Sequence, residues 1–242
     1  MKKYLSILFF ISSILAVVSC NSLNNDGGAE EENINGIEEN TDYDFSVSDA
    51  TNITLTGTTA SITGAGATAD GSTVTISSKG TYVISGTLNN GQIKVKTDDL
   101  DPVKIILNGA SITNTSTSPL FVDKAVKVVL ILNAETTNTI TDGASYSDVA
   151  EGQNAAIFSQ SYLSIFGEGT LNVTGKYMDG ITGKDGLVIK SGNITVNAAD
   201  DGIRGKDYLH IYNGKITVVS GGDGLTSNDE SEATTGIVRI EN

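Results

Sequence analysis

Tryptophan is absent from the 242 residues, histidine and cysteine occur once each, and proline only twice. Without tryptophan, a wide apolar platform for sugar rings is not expected. The lone histidine, His210, makes neither a metal site nor a catalytic dyad and reads as a solvated strand residue. Basic residues are also scarce, with 15 Lys and Arg against 29 Asp and Glu and a formal charge of −14. That balance argues against nucleic acid or anionic lipid as partners of the folded part, and it is compatible with cation binding. The Leu-x-x-Leu-x-Leu spacing and helix-length polar segments of leucine-rich repeats are missing, along with nearly all helix signal. The apolar run from Leu5 to Val18 falls short of the ~20 residues that a membrane-spanning helix needs.

That run follows Lys2 and Lys3 and leads into Val17-Val18-Ser19-Cys20, the layout of a signal peptide ending in a bacterial lipobox. Residues 1–19 are read as a lipoprotein signal peptide and Cys20 as the lipidated mature N-terminus. An ordinary secretory signal with a leftover cysteine is the alternative, although no other cysteine competes for the role. Several acyl chains on one residue satisfy the need for more than one anchor. The expected product is exported and tethered at the bacterial outer membrane or cell surface. Residues 20–50, with Glu30, Glu31 and Glu32 and few large apolar side chains, read as an acidic flexible tether.

From about Asn52 the texture becomes Thr, Ser, Gly, Val and Ile in alternation, the pattern of short strands. Gly turns precede aliphatic strands at Ser85-Gly86-Thr87-Leu88, Glu168-Gly169-Thr170-Leu171, Ser191-Gly192-Asn193-Ile194 and Asn213-Gly214-Lys215-Ile216. Residues 133–155 break the cadence and read as a longer loop. Towards the end one phrase returns at 22-residue intervals: Asp179-Gly180-Ile181, Asp201-Gly202-Ile203 and Asp223-Gly224-Leu225. Leu187, Ile189, Ile194 and Val196 likewise recur as Leu209, Ile211, Ile216 and Val218. A fixed period of this length, built of β-branched runs and Gly turns, predicts an all-β, single-stranded parallel β-helix with coils of about 22 residues over 51–242. Strand parity then turns Leu187 and Ile189 inward, and Val188, Lys190, His210 and Tyr212 outward.

Asn154-Ala155-Ala156-Ile157-Phe158-Ser159, Phe166-Gly167-Glu168-Gly169-Thr170-Leu171 and Asp200-Asp201-Gly202-Ile203-Arg204-Gly205-Lys206-Asp207 resemble the family of carbohydrate-binding domain-containing proteins. The resemblance covers roughly residues 50–242. It implies a right-handed parallel β-helix similar to that of pectate lyases, and an exported, non-catalytic protein that binds polysaccharide. Acidic, polygalacturonate-like polymers and calcium are the ligands it implies. By the cadence of its strands and turns the chain, ending at Ile237-Val238-Arg239-Ile240-Glu241-Asn242, reads as C-terminally incomplete.

The period should pile Asp179, Asp201 and Asp223 in one column and Asp185, Asp207 and Asp229 in a second. Carboxylates ~4.8 Å apart repel, and Ca²⁺, with oxygens at ~2.3–2.6 Å, could sit between neighbours. Asp200 adds a carboxylate to the first column. Asp-Gly is also a common turn pair whose charge Lys184, Lys190, Arg204, Lys206 and Lys215 could balance, so turn-making without metal stays open. For a charged glycan Arg204, Lys206, Tyr208 and Tyr212 are the candidate contacts, with Tyr162 sharing a column with Tyr208 and Phe166 one with Tyr212. Cross-strand packing is the plainer role for each aromatic. A pectate-lyase-like β-eliminase would need a base beside the sugar C5 proton. Here the basic residues follow the repeat instead of breaking it, which favours binding over catalysis. A surface adhesin or stalk without glycan specificity is the third reading.

Overall fold

The structure is a computed structural model that describes residues 38–147, 152–231 and 235–241. The signal peptide and the anchor expected at Cys20 lie outside the described residues. A 3-10 turn at Asn40–Tyr43 precedes the strands. The first are β1 (Thr51–Gly57), β2 (Ala60–Thr63), β3 (Ala67–Asp70), β4 (Thr73–Ile76), β5 (Gly80–Leu88), β6 (Gln92–Lys96) and β7 (Val103–Thr113). Next come β8 (Leu120–Lys124), β9 (Lys127–Leu132), β10 (Thr137–Thr141), β11 (Ala155–Ser159), β12 (Tyr162–Gly167), β13 (Thr170–Gly175) and β14 (Asp179–Gly183). The last are β15 (Gly186–Ile189), β16 (Asn193–Ala198), β17 (Ile203–Gly205), β18 (Tyr208–Ile211), β19 (Lys215–Ser220), β20 (Leu225–Thr226) and β21 (Ile237–Ile240).

The all-β class holds, but the single-stranded β-helix with uniform coils does not. Among the described residues the strands form two sheets, one of 13 and one of 8. The larger runs β19-β16-β13-β10-β7-β9-β12-β15-β18-β21, with β1, β2 and β5 joined beside β7. Its two arms meet at β7, whose eleven residues pair with β9 along Val103–Leu107 and with β10 along Ser111–Thr113. The smaller runs β20-β17-β14-β11-β8-β6-β4-β3. Both sheets are mixed, because β1–β2 and β3–β4 are antiparallel. Their connections, Thr58-Thr59 and Gly71-Ser72, are too short for the crossover a parallel pair requires, and Gly71 takes φ +56°. The 22-residue register is confined to the C-terminal strands, where Ile181 pairs with Ile203 and Ile203 with Leu225. Residues 133–155 are not wholly loop either, since β10 lies among them and pairs with β7 and β13.

Alternation decides what is buried. Ile181, Leu187, Ile194, Ile203 and Leu209, from both sheets, join one apolar cluster. Each such side chain removed from water contributes roughly 1.5–3 kcal/mol. A second cluster, Ile106, Val129 and Ile131 with Val83 and Phe166, lies among the alternate positions of the larger sheet. Its roof comes from the stretch expected to be tether. Tyr43 and Phe45 meet the Phe166 ring edge-on at 5.0 and 5.9 Å, and the Asp42 carboxylate forms a buried ion pair with Lys127. Residues 42–45, within the stretch expected to be tether, thus pack against the larger sheet.

Candidate functional site

The Asp-Gly phrase packs one repeat against the next. A Cβ at Gly180 would lie 2.2 Å from Val196 and 2.7 Å from the Gly202 carbonyl, and one at Gly202 would crowd Val218 and Gly224 in the same way. Glycine is needed for this close approach, and the aspartate before it caps the following strand. Asp179 Oδ1 accepts the Asp201 N–H at 3.2 Å, and Asp201 Oδ1 accepts the Asp223 N–H at 2.9 Å. The first column is therefore in register, but its members are not equivalent. Asp179 is fully buried, Asp201 half-buried, and Asp223 and Asp200 exposed.

Asp179 is also saturated. Its Oδ2 accepts from Asn154 and Thr182, each at 2.8 Å, and from the Arg204 guanidinium, which also lies 3.7 Å from Asp201. A carboxylate holding four donors is a clamp, and Arg204 is committed to it instead of projecting toward solvent.

The second column differs. Asp207 donates its backbone N–H to the Asp185 carbonyl at 3.4 Å, and Lys206 Nζ stands 3.9 Å from Asp229. Burial raises the Asp185 carboxyl above its ordinary range, and nearby Asp207 adds to the rise. Asp207 is raised as well, by burial first and by Asp229, with Lys206 opposing. Hydrogen bonds from Ser231 hold Asp229 low. Negative charge thus crowds at Asp185 and Asp207, with Lys206 relieving part of it. Among the described residues no three His, Cys, Asp or Glu side chains converge as a metal-binding group. Two carboxylates fall short of the 6–8 oxygens calcium takes, so the remainder would have to come from water or a ligand.

Tyr162 and Tyr208 flank this column on the larger sheet. Gly186 pairs with Tyr208, and a Cβ there would fall 2.0–2.4 Å from the tyrosine ring. The ring lies over the glycine and stacks on Tyr162 at a centroid separation of 6.5 Å. Tyr208, expected at the surface, is only 4% exposed, which leaves half-buried Tyr162 as the accessible partner. Lys206 remains exposed beside them.

Farther along the same face Val188 and His210 stay out of the main core, as parity required, yet both are buried. His210 is not solvated. It is 3% exposed, its Nε2 lies 2.8 Å from Glu241, and its ring rests 3.7 Å from that of Tyr212. Lys190 Nζ sits 3.5 Å from the Tyr212 ring centroid and 3.1 Å from the Glu38 carboxylate. Glu38 also accepts from the Tyr212 hydroxyl at 2.6 Å and the Tyr43 hydroxyl at 2.5 Å. Burial alone would raise the Glu38 carboxyl, but these three donors hold it below its ordinary value. Sequence reading missed Glu38 and Asp42. Tyr43 and Phe45, two aromatics in a polar run, were the available signal.

A family model described as carbohydrate-binding domain-containing protein matches residues 70–242. A carbohydrate-binding domain-containing protein of Acetivibrio thermocellus is 37% identical over 128 residues, covering 52% of this chain and 45% of that relative. The chain thus matches less than half the length of that relative. Among solved structures, a polysaccharide lyase-like protein from C. thermocellum, determined as a gadolinium derivative, is similar. It has a TM-score of 0.76 and 31% identity over 79% of each chain.

Proposed function

We infer the function from one premise, that this chain belongs to the family of carbohydrate-binding domain-containing proteins. We propose that it is a non-catalytic polysaccharide-binding protein whose glycan is acidic, of the polygalacturonate type. The observation that carries this is the surface made by Tyr162, backed by Tyr208, beside Lys206 and the raised carboxylates Asp185 and Asp207. A tyrosine ring offers a flat apolar contact, and Lys206 offers a cation to a uronate.

Calcium completes the reading. Asp185 and Asp207 supply two hard oxygen ligands and gain from a dication's charge, and the glycan's own carboxylate supplies others. Binding is then calcium-dependent because ion and sugar finish one another's coordination. Asp179 takes no part, since it is already filled by four donors.

Non-catalytic action is supported by Arg204, one of the two basic residues of the repeat that a lyase would draw on, which is tied to a buried carboxylate. The lyase reading draws on the likeness to the polysaccharide lyase-like protein of known structure. Export and lipid anchoring at Cys20 rest on Lys2, Lys3, the apolar run and the lipobox-like residues before the cysteine. Affinity electrophoresis in polygalacturonate and in neutral xylan, with calcium and with chelator, tests the proposal. Retardation in polygalacturonate that chelator abolishes is expected. Equal retardation in both gels would overturn the acidic preference, and ultraviolet absorbance from an unsaturated product would make the protein a lyase.

A further inference from the structure

Three lysines on the outer face of the larger sheet all end on oxygens of residues 38–45. Lys190 meets the Glu38 carboxylate, Lys127 meets Asp42, and Lys104 donates to the carbonyls of Thr41, at 2.8 Å, and Asp44. Tyr212 adds its hydroxyl to Glu38. An ammonium and a phenol converging on one carboxylate, beside the aromatic faces of Tyr212 and Phe166, form the donor set that a uronate sugar would ask for. The occupant is an acidic peptide strap.

The strap is built to leave. Its backbone-to-backbone hydrogen bonds run within the strap, from Asp42 N–H to the Glu39 carbonyl and from Asp44 N–H to Thr41. Its polar ties to the sheet run through the side chains just named, so lifting it breaks no rung of the strand ladder. A groove of about 480 Å³ already opens alongside, lined by Glu39, Leu100, Lys104, Val126, Lys127 and Tyr162. Leu100 is 86% exposed and Val126 43%, an apolar floor left uncovered next to the cations.

We propose that Lys127, Lys190 and Tyr212 form a second carboxylate-reading subsite for uronate units, which Glu38 and Asp42 of the strap fill as an intramolecular stand-in. An acidic glycan competes with the strap and displaces it, extending contact from Tyr162 across the face to Phe166 and Tyr212. This rests on the acidic-glycan reading above. A competing strap lowers apparent affinity by the fraction of time it is docked, so weakening it tightens binding.

The test uses the full chain and a galacturonate hexamer as probe, with calcium present throughout. Calorimetry on Glu38→Gln should give about tenfold tighter binding than the unaltered protein, equivalent to about 1.4 kcal/mol. Lys190→Ala should bind at least tenfold more weakly. Hydrogen exchange on the unaltered protein supplies a readout independent of any variant's folding: amides of residues 40–45 should exchange faster when the hexamer is bound. Binding by the unaltered protein with slower or unchanged strap exchange, or with no gain in Glu38→Gln, overturns the stand-in and leaves the acidic-glycan function in place. Failure of every form to bind the hexamer overturns that function, and the subsite with it.

Discussion

Arg204 and Asp179 face each other across neighbouring strands of the smaller sheet, and the carboxylate they share is wholly removed from water. Removing one partner of such a pair leaves the other charge uncompensated, at a cost of about 3–5 kcal/mol. Asp179→Ala should therefore lower the urea midpoint severely. Asp223→Ala, at the exposed end of the same column, should change stability by no more than about 0.5 kcal/mol. Equal losses would mean that the column acts as a repeat of like parts and that burial does not rank its members.

Gly186 makes room for the Tyr208 ring, and a methyl group there would occupy that ring's place. In Gly186→Ala the tyrosine must swing off Tyr162, forfeiting an aromatic contact worth about 0.5–1.5 kcal/mol. The stability loss should be of that order, while retention on acidic glycan should fall much further because Tyr162 loses its backing. Unchanged retention would remove Tyr162 from the binding surface.

The C-terminal repeat was legible because glycine and aspartate recur there for steric and hydrogen-bonding reasons that the chain must satisfy in each turn. Ile181, Ile203 and Leu225 pair as the spacing predicts. The sheet architecture was not legible, since it depends on β7 being long enough to pair with two later strands at once and on hairpins at Thr58-Thr59 and Gly71-Ser72. Neither carries the 22-residue period. The two aspartate columns looked alike because spacing reports register and says nothing of partners. Only the fold brings Asn154 and Thr182 to Asp179 while leaving Asp185 to be raised by burial and Asp207, and Asp207 by burial and Asp229. The strap escaped notice because its composition is that of a solvated segment, and its order comes from Lys104, Lys127 and Lys190, far away in sequence.

Asp207 titrates above its ordinary value, so its charged form is the one the fold disfavours. A carboxyl with a raised folded pKa contributes its stability below the unfolded value, near 3.8 here, and loses that contribution as pH rises through the folded value. At neutral pH in chelator, Asp207→Asn should thus be more stable than the unaltered protein. Its partial exposure and solvent screening keep the gain to about 0.5–1 kcal/mol. The gain should vanish on acidification below pH ~3.8. Paired with glycan and calcium the order should reverse, because the variant has lost a ligand. Thermal melts in both conditions read the sign directly, and a variant that melts lower in chelator would mean that Asp207 is held by favourable partners instead of crowded by like charge.

Glu38 runs the other way. Its carboxyl is lowered, since the Tyr212, Tyr43 and Lys190 donors outweigh burial. The stability it gives the docked strap is therefore complete above the ordinary glutamate value of 4.5 and is lost as pH falls through the lower folded value. Glu241 and Arg239 also stand near Tyr212 with opposing effects on it, and the Asp42 carboxylate acts on Tyr43, so the control must isolate Glu38. Ring resonances of Tyr43 and Tyr212, followed by NMR from pH 7 downward, should move together below about pH 4.5 in the unaltered protein. In Glu38→Gln they should hold nearly constant positions over that range, displaced from the start toward the acid limit. A transition that persists unchanged in the variant would assign acid release of the strap to another carboxylate, with Asp42 the next to substitute.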